Sequence, residues 1–125
     1  MPDSPYQKLR ARFREVALIR STNATLGWDQ ETYLPAAGAD WRADQLAWLS
    51  GQQHRLATAA DVGVWLAECE DSDITPDSNE GTNVRGWRRD YDLATKLPSE
   101  FVEELSRTTA QATHVWAEAD RKSVV

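Results

Sequence analysis

Cysteine, histidine and long apolar runs are what this chain of 125 residues has least of. Cys69 is the only cysteine, so no intrachain disulfide can form and no thiolate cluster can hold a metal; a buried, unreactive thiol is expected, since no cation or histidine lies near it in sequence. There are two histidines. His54 has no Glu within a helical turn and is expected as a half-exposed helix residue. His114 and Glu118 are four apart on one helix face and could offer two ligands to zinc, but no third ligand is evident and an ordinary surface contact is the alternative. Neither histidine begins an H-E-x-x-H pattern, and no G-x-S-x-G elbow or G-x-x-x-x-G-K-[ST] loop occurs, which excludes catalysis by those routes. No apolar stretch is long enough to span a bilayer, and Met1 to Pro5 lack the basic and apolar segments of a signal peptide; the expectation is a cytoplasmic protein with no membrane partner.

Positive charge is also in deficit. Fourteen Lys and Arg against 20 Asp and Glu leave a net charge of −6, a field that repels phosphate backbones, so no nucleic-acid partner is expected. The basic clusters at Lys8, Arg10, Arg12 and Arg14 and at Arg85, Arg88 and Arg89 are surrounded by acids and read as solvated helix faces. The alternating acids of Asp71 to Asn79 invite a test as a calcium loop. It fails, because Pro76 stands where the sharp turn needs Gly and no closing Glu follows.

What is present is helical periodicity. Hydrophobic residues make up 41% of the chain, enough for a core, and its length suits a single domain over 1–125. Ser4-Pro5 is a helix start, and Tyr6, Leu9, Phe13, Val16 and Ala17 then share a stripe, giving a first helix from about Pro5 to Ala24. Trp28 to Gly38 reads as an ordered connection. Ala39 or Asp40 opens a second helix with Ala43, Leu46 and Leu49 on one face and Trp41 and Trp48 on another. Asp61 is the expected N-cap of a third, with Val62, Trp65, Leu66 and Cys69 together. Asp77 with Glu80 resembles a capping box before a fourth helix reaching Thr95. Leu97-Pro98 separates it from a fifth, one side of which carries Phe101, Leu105, Thr108, Ala112, Val115 and Ala119, with Val102, Thr109 and Trp116 beside them. Arg121 to Val125 contain no helix stop, so the fifth helix either frays there or lacks what followed. With no strand pattern of period two, the expected fold is an all-α bundle of about five helices.

The most distinctive segment is Trp28-Asp29-Gln30-Glu31-Thr32-Tyr33-Leu34-Pro35. Asp29 and Glu31 could share acid and base roles, although capping of the flanking helices is the favoured reading. Trp28 and Pro35 are expected to pack against helices one and two, with Asp29 accepting hydrogen bonds.

At this segment the chain resembles the thermostable zinc carboxypeptidases of the carboxypeptidase Taq type, whose W-D-x-x-T-x-M-P segment is matched by Trp28, Asp29, Thr32 and Pro35, with Leu34 in place of Met. Arg42, Gln45, Leu46 and Leu49 follow, then Asn83, Arg85, Arg88 and Tyr91, then Leu97-Pro98, then Trp116 and Ala119. Asp120 departs from the family, which has Arg there. The resemblance implies a helical amino-terminal region that helps wall the substrate cleft of a much longer enzyme, whose zinc ligands and catalytic Glu lie in parts this chain lacks. Trp28, Asp29, Thr32, Pro35 and Arg42 are carried over as structural or cleft-lining residues, and none as catalytic or metal-binding. The expectation is therefore a truncated chain, not an enzyme by itself and without a cofactor of its own, whose relatives use zinc; the alternative is a binding or regulatory module that associates with itself or with a full-length carboxypeptidase. Six Trp are hard to bury in so small a domain. Trp41, Trp48 and Trp116 are the candidates for an exposed patch, and a homodimer is expected to cover it.

Overall fold

The computed structural model describes residues 4–123. Met1 to Asp3 and Val124 to Val125, on which the readings of both termini partly rest, lie outside the described residues. The helices are α1 (Pro5–Thr32), α2 (Ala39–Thr58), α3 (Ala60–Glu70), α4 (Asn79–Ala94) and α5 (Ser99–Ser123), with a single 3-10 turn at Ala36–Gly38. No strand occurs among the described residues. The all-helical class is as expected; five independent rods are not what forms. Ala59 alone, with extended ψ of 146°, separates α2 from α3, so connections longer than one residue divide the described residues into four helical runs.

α1 starts as its sequence dictates. Ser4 Oγ accepts from the Gln7 amide at 3.2 Å and Gln7 Oε1 accepts from the Ser4 amide at 2.9 Å, a reciprocal cap, with Pro5 at the first position. It does not stop at Ala24 but continues to Thr32. The Thr hydroxyls that weaken the pattern are satisfied inside the helix, Thr22 donating to the Leu18 carbonyl, Thr25 to that of Ser21 and Thr32 to that of Trp28. Leu26 meanwhile packs against Ala43, Leu46 and Ala110 and holds the added turns in place.

Two apolar clusters divide the structure. One joins Leu9, Val62, Leu66, Cys69 and Val84 from α1, α3 and α4, flanked by Tyr6, Phe13 and Trp87; Phe13 stacks on the Trp87 indole at 5.3 Å. Cys69 is buried and free, and burial together with Glu68 and Glu70 pushes its thiol pKa up. The other cluster is small: Ala43, Leu46, Ala110 and Leu26. α2 lies between, and short side chains let α5 approach it closely. A Cβ on Gly51 would lie 2.2 Å from Glu103 Oε1. Glu103 crosses that glycine to meet Arg55, and Arg107 reaches Asp44.

Two expected caps move. Ser78, not Asp77, caps α4, its Oγ accepting from the Gly81 amide at 3.0 Å. Gly81 is fixed there because a Cβ would lie 2.3 Å from the Thr75 carbonyl oxygen. Ala59, not Asp61, precedes α3. Asp61 lies in the first turn instead, and its two carboxylate oxygens accept from Arg12 Nη1 at 3.1 Å and Nη2 at 2.8 Å. A bidentate guanidinium is a stronger partner than a single amide, and Arg12 is further held by the Leu56 carbonyl and the Trp65 ring.

That pair gives the fold an acid-sensitive clamp. The hydrogen bond from Arg12 outweighs desolvation and holds the Asp61 pKa below its ordinary value. A depressed folded pKa means that the stabilisation is present above the unfolded carboxylate value of about 3.9 and is lost as pH falls through the folded value. Asp61 is half-exposed, so its share at neutral pH is under about 1 kcal/mol. Asp61→Asn is expected to lower the urea midpoint slightly at pH 7 and to leave it equal to wild type near pH 2. An equal loss at both pH values would show that the charge is not the cause.

Candidate functional site

The segment singled out in the sequence forms the corner where α1 ends and α2 begins. Its backbone closes on Asp29, whose carbonyl accepts from the amides of Tyr33 and Leu34, each at 2.9 Å. Pro35 then prevents helical continuation, and the Gly38 amide returns to the Pro35 carbonyl at 2.9 Å. Leu34 covers Gly38, where a Cβ would come within 3.0 Å of Leu34 Cδ1.

Arg42 locks the corner from the first turns of α2. Its Nη1 donates to the Leu26 carbonyl at 2.8 Å and to Asp29 Oδ2 at 2.9 Å, while Nε donates to Gln45 Oε1 at 2.9 Å. The Arg42 side chain is 12% exposed and that of Asp29 36%. Asp29 thus accepts a hydrogen bond, as expected, but as an ion-pair partner within α1 and not as a helix cap. Gln30 ties the same turn to α5, its Nε2 donating to the Ala110 carbonyl at 2.9 Å.

The outer side of the corner corrects the sequence reading. Trp28 is 56% exposed and pairs edge-to-face with Tyr33, their ring centroids 5.5 Å apart; Pro35, Thr32 and Glu31 are exposed as well. α1 runs through Trp28, so its helical phase, shared with the inward-facing Leu26 and Asp29, turns the indole away from α2. Asp29 and Glu31 therefore sit two apart on a helix, where side chains do not face each other, and the acid–base pair is not assembled.

Beside the corner, an open groove of about 600 Å³ runs between α1, α2 and α5. Leu26 and Leu49 line it, Trp41 and Trp48 stand along its wall, and Asp44 and Arg107 mark the rim. Trp41 and Trp48 are exposed, as is Trp116 on α5. Asp44, then Glu104, hold Arg107 firmly protonated. These groups can bind apolar and charged surface, but they include no nucleophile with an adjacent base.

Three polar links were not legible in the sequence. Asn23 donates to Ser50 Oγ, which donates to Ser106 Oγ, both at 3.0 Å, joining α1, α2 and α5. His54, half-buried, lies 2.7 Å from Ser99 Oγ and 2.8 Å from the Ala94 carbonyl, tying α2 to the end of α4 and the start of α5. Arg88 binds Glu70 across α3 and α4. Each joins residues distant in sequence, and no local pattern marks them.

The zinc implied by the resemblance finds no fitting donor set in these residues. Glu118 accepts from Arg121 at 2.6 Å, and no group of three His, Cys, Asp or Glu side chains among the described residues could hold a metal ion.

The sequence profile of the carboxypeptidase Taq (M32) metallopeptidases matches residues 8–125. Thermostable carboxypeptidase 1 of Thermus thermophilus is 36% identical over 120 residues, which make up 94% of this chain and 24% of that protein. Thermostable carboxypeptidase 1 of Pyrococcus furiosus is 28% identical over 116 residues, 93% of this chain and 23% of that protein. A solved structure of a protein designated CHT superposes with a TM-score of 0.70 at 36% identity, covering 94% of this chain and 24% of its own. The chain thus spans about a quarter of the length of the curated relatives it matches.

Proposed function

The chain belongs to the carboxypeptidase Taq (M32) metallopeptidase family, and on that premise we propose that these residues form the amino-terminal helical part of a zinc metallocarboxypeptidase, whose role would be removal of carboxy-terminal amino acids from peptides. In this reading the segment is scaffold and cleft wall, and the metal-binding chemistry belongs to other parts of the family fold. The observation that carries it is the match over nearly the whole chain to only a quarter of each relative. The corner agrees with such a role: Arg42, Asp29 and Gln30 are spent on holding α1, α2 and α5 together, while Trp28 on the corner and Trp41 and Trp48 along the groove offer apolar surface outward.

The test is direct. Purified 125-residue protein, incubated with peptides and zinc, is expected to release no carboxy-terminal amino acid. Release that chelator abolishes would place a working metal site within this chain and overturn the reading.

A further inference from the structure

A second cleft, of about 460 Å³, opens where α1, α2, α4 and the start of α5 come together. Small-molecule sites usually enclose about 300–1,000 Å³, with apolar walls and a few charged groups that orient the ligand. Phe13 and Val16 from α1, Leu93 from α4, Leu97 just beyond it and Val102 from α5 supply the apolar wall. Contacts behind the wall fix it. Phe13 is stacked on Trp87, Val16 is buried, and His54 is held at both ring nitrogens, Nε2 donating to the Ala94 carbonyl at 2.8 Å and Nδ1 meeting Ser99 Oγ at 2.7 Å. Leu93 and Leu97 are nevertheless 57% and 45% exposed, so the cleft holds apolar surface against water.

Two opposite charges line the same cleft, Arg20 from α1 and Asp90 from α4. Among the described residues neither takes part in an ion pair. Their own helices offer them none: three and four positions away stand Val16, Ala17, Asn23 and Ala24 for Arg20, and Gly86, Trp87, Leu93 and Ala94 for Asp90. Arg88, Arg107 and Arg121, by contrast, are each paired with an acid at such spacing. A simple carboxylate in the cleft would satisfy Arg20 and be repelled by Asp90, and a simple amine would do the reverse. A molecule that carries both charges on an apolar body fits the cation, the anion and the wall together.

We propose that this cleft binds a free α-amino acid with a large apolar side chain, of the leucine or phenylalanine type, its carboxylate on Arg20, its ammonium on Asp90 and its side chain against Phe13, Leu93 and Leu97. The proposal goes beyond the carboxypeptidase reading and stands without it, since ligand binding and peptide release are measured separately.

Titration of the isotope-labelled 125-residue protein with L-leucine, followed by heteronuclear NMR, is expected to shift amides around His54, Leu93 and Leu97 with a Kd of about 1 mM, which is what so few ligand atoms at an open site support. Glycine, with both charges and no side chain, should bind far more weakly than leucine. N-acetyl-leucine and leucinamide, each lacking one charge, should bind about fivefold more weakly, the size expected of a solvent-screened ion pair. Arg20→Gln should erase the preference for leucine over leucinamide, and Asp90→Asn the preference over N-acetyl-leucine. Both positions are exposed, so the circular dichroism of wild type should be kept; if either variant loses it, the ligand series on wild type decides alone. Arg14→Gln, exposed on α1 and outside the cleft, should bind leucine as wild type does. No shifts at the cleft with tens of millimolar leucine, shifts confined to the groove of Trp41 and Trp48, or N-acetyl-leucine or leucinamide binding as well as leucine would overturn the proposal. So would preferences unchanged in the folded variants, or tighter binding of leucyl-leucine, which would assign the cleft to peptides.

Discussion

Leu66→Ala is expected to lower the unfolding free energy by about 3 kcal/mol, near the middle of the range for a fully buried leucine truncated to alanine. The large value follows from how little of this chain is fully enclosed. Among the described residues Leu9, Val62 and Leu66 are the largest fully buried side chains, and all three meet in the cluster that joins α1, α3 and α4. Removing the isopropyl group loses its transfer free energy and leaves a cavity that Val84 and Cys69, fixed on different helices, cannot collapse to fill. A domain of ordinary stability, about 5–15 kcal/mol, would give up a considerable fraction. Urea titration reads it as a lower midpoint at unchanged slope. A loss below about 1 kcal/mol would mean that the site relaxes freely, and that the cluster is not the rigid part of the molecule.

Arg42→Met is expected to cost about 2 kcal/mol, chiefly by leaving acceptors without their donor. Methionine retains the apolar stem, so packing is largely preserved and the loss reports on the guanidinium. Its Nη1 serves both the Leu26 carbonyl and Asp29, and its Nε serves Gln45. Asp29 keeps access to water, which limits the cost on that side; the Arg side chain is the more enclosed partner. The last turn of α1 should then loosen, with faster hydrogen exchange at the Tyr33 and Leu34 amides that close on the Asp29 carbonyl. Combination with Asp29→Asn should show coupling of about 1 kcal/mol. Additive losses would mean that Arg42 acts through Leu26 and Gln45 alone.

The buried face of Leu66 was legible in the sequence, whereas the Arg42 lock was not. Ser4-Pro5 and Leu97-Pro98 punctuate helices through steric and capping effects that act within a few residues, and the structure follows them at both places. The apolar face of Val62, Leu66 and Cys69 is a property of helical spacing and is buried as expected. The exposure of Trp41, Trp48 and Trp116 was legible too, because a chain this short cannot enclose six indoles. The family likewise lay in an ordered set of local matches, Trp28 to Arg42 foremost.

The tertiary structure alone decided how far α1 extends and which way α5 faces. Thr22, Asn23, Thr25 and Gly27 are weak helix formers; the added turns persist because Leu26 finds Ala43, Leu46 and Ala110, and because Arg42 and Gln30 bind that turn. Asp61 similarly left its cap position for Arg12, a partner 49 residues away. Periodicity places Phe101, Leu105 and Val115 on one face, but it holds no information about what that face meets. The opposite face of α5 found the better partners on α2, with Ser106 on Ser50, Arg107 on Asp44 and Glu103 across Gly51. Spacing along a helix is set by covalent geometry, whereas orientation is set by surfaces supplied from distant parts of the chain, so the first was determined by the sequence read locally and the second only by the assembled fold.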